Sequence, residues 1–304
     1  MKPDDKQVKF IAEVSSNHHR DLDRCFEFVD TAAALGCYAV KFQLFRIDEL
    51  FAPEILANSK THRDRRQWEL PAAFIPEIAS CCREKGIRFG CTPFFLEAVD
   101  ILNPHVDFFK ISSYELLWDA LLARCAHTGK LVVLSTGMAN LDEIEHAVSC
   151  LKENGCVAPV LLHCVSSYPT RPEACNLAAI GTLRDRFGLA VGWSDHSVSP
   201  ATIYRAVHHW NAEFVEFHLD LDAAGEEYSM GHCWLPHQIE EVIEAVDSGL
   251  SADGNGIKEP APSEERDRQW RADPEDGLRP RLALRNSRHA RQTQNMTASA
   301  SKQP

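Results

Sequence analysis

Two histidines close neighbouring apolar runs, in Gly192-Trp193-Ser194-Asp195-His196 and in Phe214-Val215-Glu216-Phe217-His218. Each stands where a buried strand gives way to a loop. Two neutral imidazoles on adjacent strand ends suit one divalent cation, with carboxylate and water completing its shell. They suit plain hydrogen bonding at a polar rim as well. Lys41 lies in Val40-Lys41-Phe42-Gln43 and Lys110 in Phe109-Lys110-Ile111. Strand alternation points Lys41 and Gln43 the same way. A buried ammonium without a partner is costly. Each lysine is therefore either an anion ligand or half of an internal pair with Glu13 or Glu115. Thr92, Ser112, Ser113, Ser135, Ser194 and the turn at Gly137 supply hydroxyls and directed donors, which with the lysines make a cradle for phosphate or carboxylate. Glu115, close to Lys110, suits acid or base work, or plain surface.

Such groups need strand ends to hold them. Short β-rich runs occur at Val8–Val14, Tyr38–Gln43, Ile87–Cys91, Asp107–Ile111, Lys130–Leu134, Pro159–His163, Leu189–Trp193 and Glu213–Phe217. Helical patterns lie between them. In Asp21–Leu35 the residues Leu22, Cys25, Phe26, Val29, Ala32 and Ala33 repeat at three-and-four spacing. Asn140 caps another helix, with Glu143 at its third position. Gly36, Gly86, Gly129 and Gly188 fall where helices end and strands begin. Alternating units of this kind imply parallel strands with right-handed crossovers. Eight of them predict an α/β fold of the (β/α)8 TIM-barrel type, with the strand-end residues on the active-site face. The dinucleotide fingerprint Gly-x-Gly-x-x-Gly, which would favour an open sheet, is absent.

A barrel at 1–250 leaves a C-terminal tail at 251–304, opened by Ser251-Ala252-Asp253-Gly254-Asn255-Gly256. Within it Trp270–Pro280 is expected either to wrap the barrel, reaching the site with Arg271 or Arg279, or to be solvated. The polar end, Gln292–Pro304, is expected to be disordered. A formal charge of -12 argues against a nucleic-acid partner. The opening Met1-Lys2-Pro3-Asp4-Asp5 lacks the apolar core of a signal peptide, and no run reaches the roughly 18 apolar residues of a membrane span. The eleven cysteines show no Cys-x-x-Cys spacing, so free thiols in a reducing cytoplasm are expected.

The segments Ile11-Ala12-Glu13 with Asn17-His18, Val40-Lys41-Phe42-Gln43, Cys91-Thr92-Pro93-Phe94, Phe109-Lys110-Ile111-Ser112-Ser113, Leu134-Ser135-Thr136-Gly137-Met138, Leu162-His163-Cys164-Val165-Ser166-Ser167-Tyr168-Pro169-Thr170 and Ser194-Asp195-His196-Ser197 together resemble the sialic acid synthase (N-acetylneuraminate synthase) family. The likeness runs in order over about residues 8 to 248. It implies a cytoplasmic (β/α)8 enzyme that condenses phosphoenolpyruvate with the aldehyde of an N-acylated hexose. The product is a nine-carbon 3-deoxy-2-ulosonic acid, formed with release of phosphate and with Mn2+ or Mg2+ as cofactor. Carried over, the resemblance makes His196 and His218 metal ligands. Lys41, Thr92, Lys110, Ser113, Ser135 and Ser194 then hold phosphoenolpyruvate, while Gln43, Tyr168 and Asn17 face the sugar. Glu115 and Glu13 become the catalytic carboxylates.

Three departures accompany the resemblance. The family's antifreeze-like C-terminal domain, which lends an arginine to the partner subunit's site, is not expected in this chain. The loop after His218 reads Gly225-Glu226-Glu227-Tyr228-Ser229-Met230-Gly231-His232, so Glu227 or His232 is the candidate for the family's loop aspartate. Arg20 replaces a common glycine. Beside the synthase stand a Schiff-base keto-acid lyase using Lys110 and a non-catalytic truncated barrel. The expected partners are small-molecule substrates, with a homodimer as the admissible assembly.

Overall fold

A computed structural model describes residues 8–286; the segments Met1–Asp5 and Gln292–Pro304 lie outside these. Nine parallel strands run in sequence order, with β1 also pairing β8 to close a barrel. They are β1 Lys9–Glu13, β2 Ala39–Leu44, β3 Arg88–Pro93, β4 Phe108–Ile111, β5 Leu131–Ser135, β6 Val160–His163, β7 Val191–Asp195, β8 Phe214–Leu219 and the two-residue β9 Cys233–Trp234. The first eight coincide with the expected runs to within two residues at either end. β9, which pairs His218 with Cys233, was not expected.

The helices follow from the same local rules. Leu22–Ala34 buries Cys25, Phe28, Val29 and Ala32, and Asp21 caps it by accepting from the amides of Asp23 and Arg24. Leu141–Glu153 begins with the Asn140–Glu143 capping box. Gly86 and Gly188 close their helices in the left-handed conformation. Arg20, the residue standing for a glycine, has φ +57°. That left-handed backbone is the physical reason glycine suits the position.

Alternation along the strands layers the barrel interior. Ile11, Ala39, Phe108, Val133, Val160, Leu162 and Phe214 form an inward apolar cluster. Gly90 makes room for it, because a Cβ there would meet the Phe108 ring at 2.2 Å. Two residues further along the same strands stand Glu13, Lys41, Lys110, Ser135 and Glu216, and beyond those Gln43 and His218. An apolar floor thus carries a charged layer, and the charged layer carries a rim.

The chain divides into two compact units between Ala252 and Asp253. In the second, Asp273 organises a turn, its carboxylate accepting from Glu275 N at 3.0 Å and Leu282 N at 2.7 Å. Arg271 and Arg279 are exposed. Among the described residues all eleven cysteines are free, and no helix is long and apolar enough to cross a membrane.

Candidate active site

At the C-terminal ends of the strands lies a cavity of about 290 Å³. Its walls include Glu13, Lys41, Gln43, Lys110, Ser113, Ser135, Tyr168, Ser194, His196 and His218, so ten of the thirteen expected site residues converge on one space. Thr92, Asn17 and Glu115 do not line it. Thr92 backs the wall, its hydroxyl 3.3 Å from Lys41 Nζ. Asn17 is buried and donates to Leu219 O at 2.9 Å and to Cys233 Sγ at 3.6 Å. Glu115 is held by the hydroxyl of Ser112, which does line the cavity.

The deep end is a quartet of two ammonium groups and two carboxylates. Lys41 is paired with Glu13, and Glu216 Oε1 lies 3.8 Å from Lys41 Nζ and 3.7 Å from Lys110 Nζ. All four residues are at most 4% exposed. Burial disfavours charge on Lys41, but Glu13 and Glu216 outweigh it and raise its pKa. For Lys110 burial prevails, aided by repulsion from Lys41, and its pKa is lowered. Glu216 stays below its ordinary value because the two lysines overcome its burial. The partner of Lys110 is therefore Glu216, on a strand across the barrel, rather than Glu115. Because the quartet carries no surplus charge, an incoming anion meets ammonium groups already matched.

Glu115 is more isolated. Burial lifts its carboxyl to about 7, against the opposing effects of Ser112 and Lys110. Nearby, Gly137 N donates to Ser113 Oγ at 2.9 Å. A Cβ on Gly137 would stand 2.8 Å from that hydroxyl and 2.4 Å from Ser166 Oγ, so the close approach requires glycine.

The rim is aromatic. The ring centres of His196 and His218 are 5.5 Å apart, and Tyr168 lies 4.2 Å from His196. His196 Nδ1 is 2.8 Å from Val165 O. A carbonyl only accepts, so Nδ1 carries the hydrogen and Nε2 keeps its lone pair. Burial and the neighbouring His218 lower this imidazole to about 3, which keeps it neutral. His218 Nδ1 faces Glu227 Oε2 at 3.0 Å. Burial opposes charge on His218, but Cys233 and Glu227 hold its pKa well above the ordinary value. His232 Nε2 is 3.5 Å from the same Glu227 oxygen. Two oriented imidazoles with carboxylate backing are a donor set that fits a divalent cation, and His218, Glu227, His232 and Cys233 gather as a further ligand group.

Sequence reasoning missed Glu216, Arg65 and Cys233. Glu216 precedes His218 by two residues, so alternation alone places it inward. Arg65 and Trp68 reach the cavity from the excursion after β2, where short helices follow no clear period. The Arg65 guanidinium lies 5.5 Å from the Trp68 ring centre, and its Nε has no hydrogen-bond partner among the described residues.

Compared with known proteins, residues 28–258 match the model described as the NeuB family. The chain is 33% identical over 276 residues to the N,N'-diacetyllegionaminic acid synthase of Campylobacter jejuni, covering 86% of this chain and 82% of that one. It is 30% identical to the N-acetylneuraminate-9-phosphate synthase of Drosophila melanogaster, covering 79% and 67%. Among solved structures, the sialic acid synthetase of Leptospira borgpetersenii, in complex with citrate, superposes with a TM-score of 0.77 at 30% identity, covering 86% of this chain and 90% of that one. Barrel, rim and sequence agree, and the chain belongs to the NeuB family.

Proposed function

We propose that the protein condenses phosphoenolpyruvate with the open-chain aldehyde of an N-acylated amino sugar, N-acetylmannosamine or a relative of it. The enol carbon forms a bond to the aldehyde carbon, whose oxygen becomes a hydroxyl on taking up a proton. Water adds to C2 of the former enol, the C2–O bond to phosphorus breaks, and phosphate departs with the bonding pair. What remains is a nine-carbon 3-deoxy-2-ulosonic acid.

The observation that carries this reading is the pairing of two layers in one cavity: buried Lys41 and Lys110 below, His196 and His218 above. Lys41, Lys110, Ser113, Ser135 and Ser194 are the ligands of the donor's carboxylate and phosphate, with Thr92 holding Lys41 from behind. Directed donors aimed at a departing phosphate stabilise the charge it gathers. Gln43 and Tyr168, one layer higher, face the sugar, and Asn17 supports the rim from behind. Glu13 and Glu115 are the proton-handling carboxylates, Glu115 acting through the Ser112 hydroxyl. A protonation equilibrium near 7 is what a general acid or base needs at neutral pH.

His196 and His218 would hold a divalent cation, Mn2+ or Mg2+, which when bound supplies Lewis-acid polarisation of the aldehyde oxygen. The balanced quartet supports a need for it, because added positive charge favours a multiply charged donor. The reading places the enzyme in the cytoplasm, where phosphoenolpyruvate is made, and admits a second copy as partner. Its test is phosphate release from phosphoenolpyruvate across a panel of aldoses, with and without EDTA. Release that requires both an N-acylated sugar and a divalent cation supports the synthase. Trapping of pyruvate on Lys110 by borohydride would replace it with a Schiff-base lyase.

A further inference from the structure

His218 belongs to two constellations, and only one has been described. On its Nδ1 side, one ligand atom from each of His218, Glu227, His232 and Cys233 lies within 4.8 Å of the others. The group is built from both ends. Ser15 and Ser16 hydroxyls bind Glu227 Oε1 at 2.5 Å and 2.9 Å, which turns Oε2 towards the imidazoles. Asn17 donates an N–H to Cys233 Sγ, a contact that favours sulfur as acceptor. His232 is 4% exposed and turns its Nε2 to the same carboxylate oxygen, Glu227 Oε2, at 3.5 Å.

Two imidazoles, a carboxylate and a thiol make a four-ligand shell with sulfur. Such a shell suits zinc and cobalt better than magnesium or manganese, which favour oxygen. We propose that His218 Nδ1, Glu227, His232 and Cys233 form a thiolate site for a cation of the zinc and cobalt class, and that filling it disables the rim site.

The second half follows from one imidazole having one lone pair when neutral. With a cation at the rim, His218 offers Nε2 and its Nδ1–H donates to Glu227. With a cation in the thiolate site, Nδ1 gives its lone pair and the hydrogen sits on Nε2. On binding, Cys233 loses its thiol proton to solvent and the sulfur pair enters the metal–sulfur bond. The thiolate site stands on these residues alone, whereas the exclusion rests on the rim site proposed above.

The test uses the full chain freed of metal and titrated with Co2+. A thiolate-to-cobalt charge-transfer band in the near ultraviolet, with proton release, is expected in the wild type. It should persist in His196→Ala and vanish in Cys233→Ser. In the wild type alone, Co2+ should also return bound Mn2+ to solution, read by electron paramagnetic resonance. Cobalt bound without a sulfur band, or an unchanged band in Cys233→Ser, would overturn the thiolate site. A sulfur band with Mn2+ still bound would overturn the exclusion. Failure of the synthase reading shows separately, as no phosphate release with any aldose, and leaves the cobalt spectrum as it was.

Discussion

The Trp234 indole donates to Asp195 Oδ2 at 3.0 Å, and so joins the strand end that carries His196 to the short strand that carries Cys233. Asp195 is fully buried and also accepts from the Trp193 indole at 3.1 Å and from Val198 N at 3.1 Å. It is a clamp beneath the rim, adjacent in sequence to a proposed ligand.

Replacing Trp234 by Phe keeps the packing and removes that donor. The loss should cost about 1 kcal/mol of stability. Because the clamp fixes the backbone next to His196, divalent-cation affinity should fall about tenfold. Calorimetric titration with Mn2+ checks this, and an unchanged affinity would assign the clamp to the fold alone.

Glu216→Gln should act on both lysines. It leaves two buried ammonium groups sharing Glu13, and removing one partner of a buried pair costs on the order of 3 kcal/mol. Thermal unfolding should therefore come earlier. Inorganic phosphate should raise the variant's midpoint more than the wild type's, because it replaces the missing charge. Equal phosphate shifts would mean that Glu216 is not the counterion.

Glu115 sets an expected pH dependence. Its carboxyl titrates near 7, so the ionised form gains as pH rises through that value. If the anion accepts the proton, turnover at saturating cation climbs across the same interval, and Glu115→Gln loses both the limb and most of the rate. The stability sign is the reverse. A folded-state pKa raised above the ordinary 4.5 contributes fully below 4.5 and is lost as pH rises through 7. Wild type relative to Glu115→Gln should thus weaken between those values in chemical denaturation.

His218→Ala should reduce cation-dependent phosphate release to background while the circular dichroism of the barrel is retained. Unchanged release at saturating Mn2+ would contradict the rim assignment.

Much of this arrangement was legible because a barrel strand has a period of two and ends in a loop. Lys41, Lys110, Ser135, Ser194, His196 and His218 sit at such ends, and each lines the cavity. Glu216 obeys the same rule, but between the bulky Val215 and Phe217 it reads as part of an apolar run. Cys233 and Trp234 form a strand too short to have a period, fixed by pairing with β8, by Asp195 and by Asn17. Arg65 depends on a chain excursion whose path is set by tertiary packing. For Lys110 the sequence leaves Glu13 and Glu115 open as partners, whereas closure of the barrel brings Glu216 to it from the opposite side.

The apolar plug under Lys41 and Lys110 makes the cavity a cul-de-sac. Whatever lodges against the lysines has first to pass the histidines, and it stays trapped while the mouth is filled. For the proposed reaction such a place predicts a queue, with the small anion entering ahead of the sugar and phosphate leaving behind the finished acid.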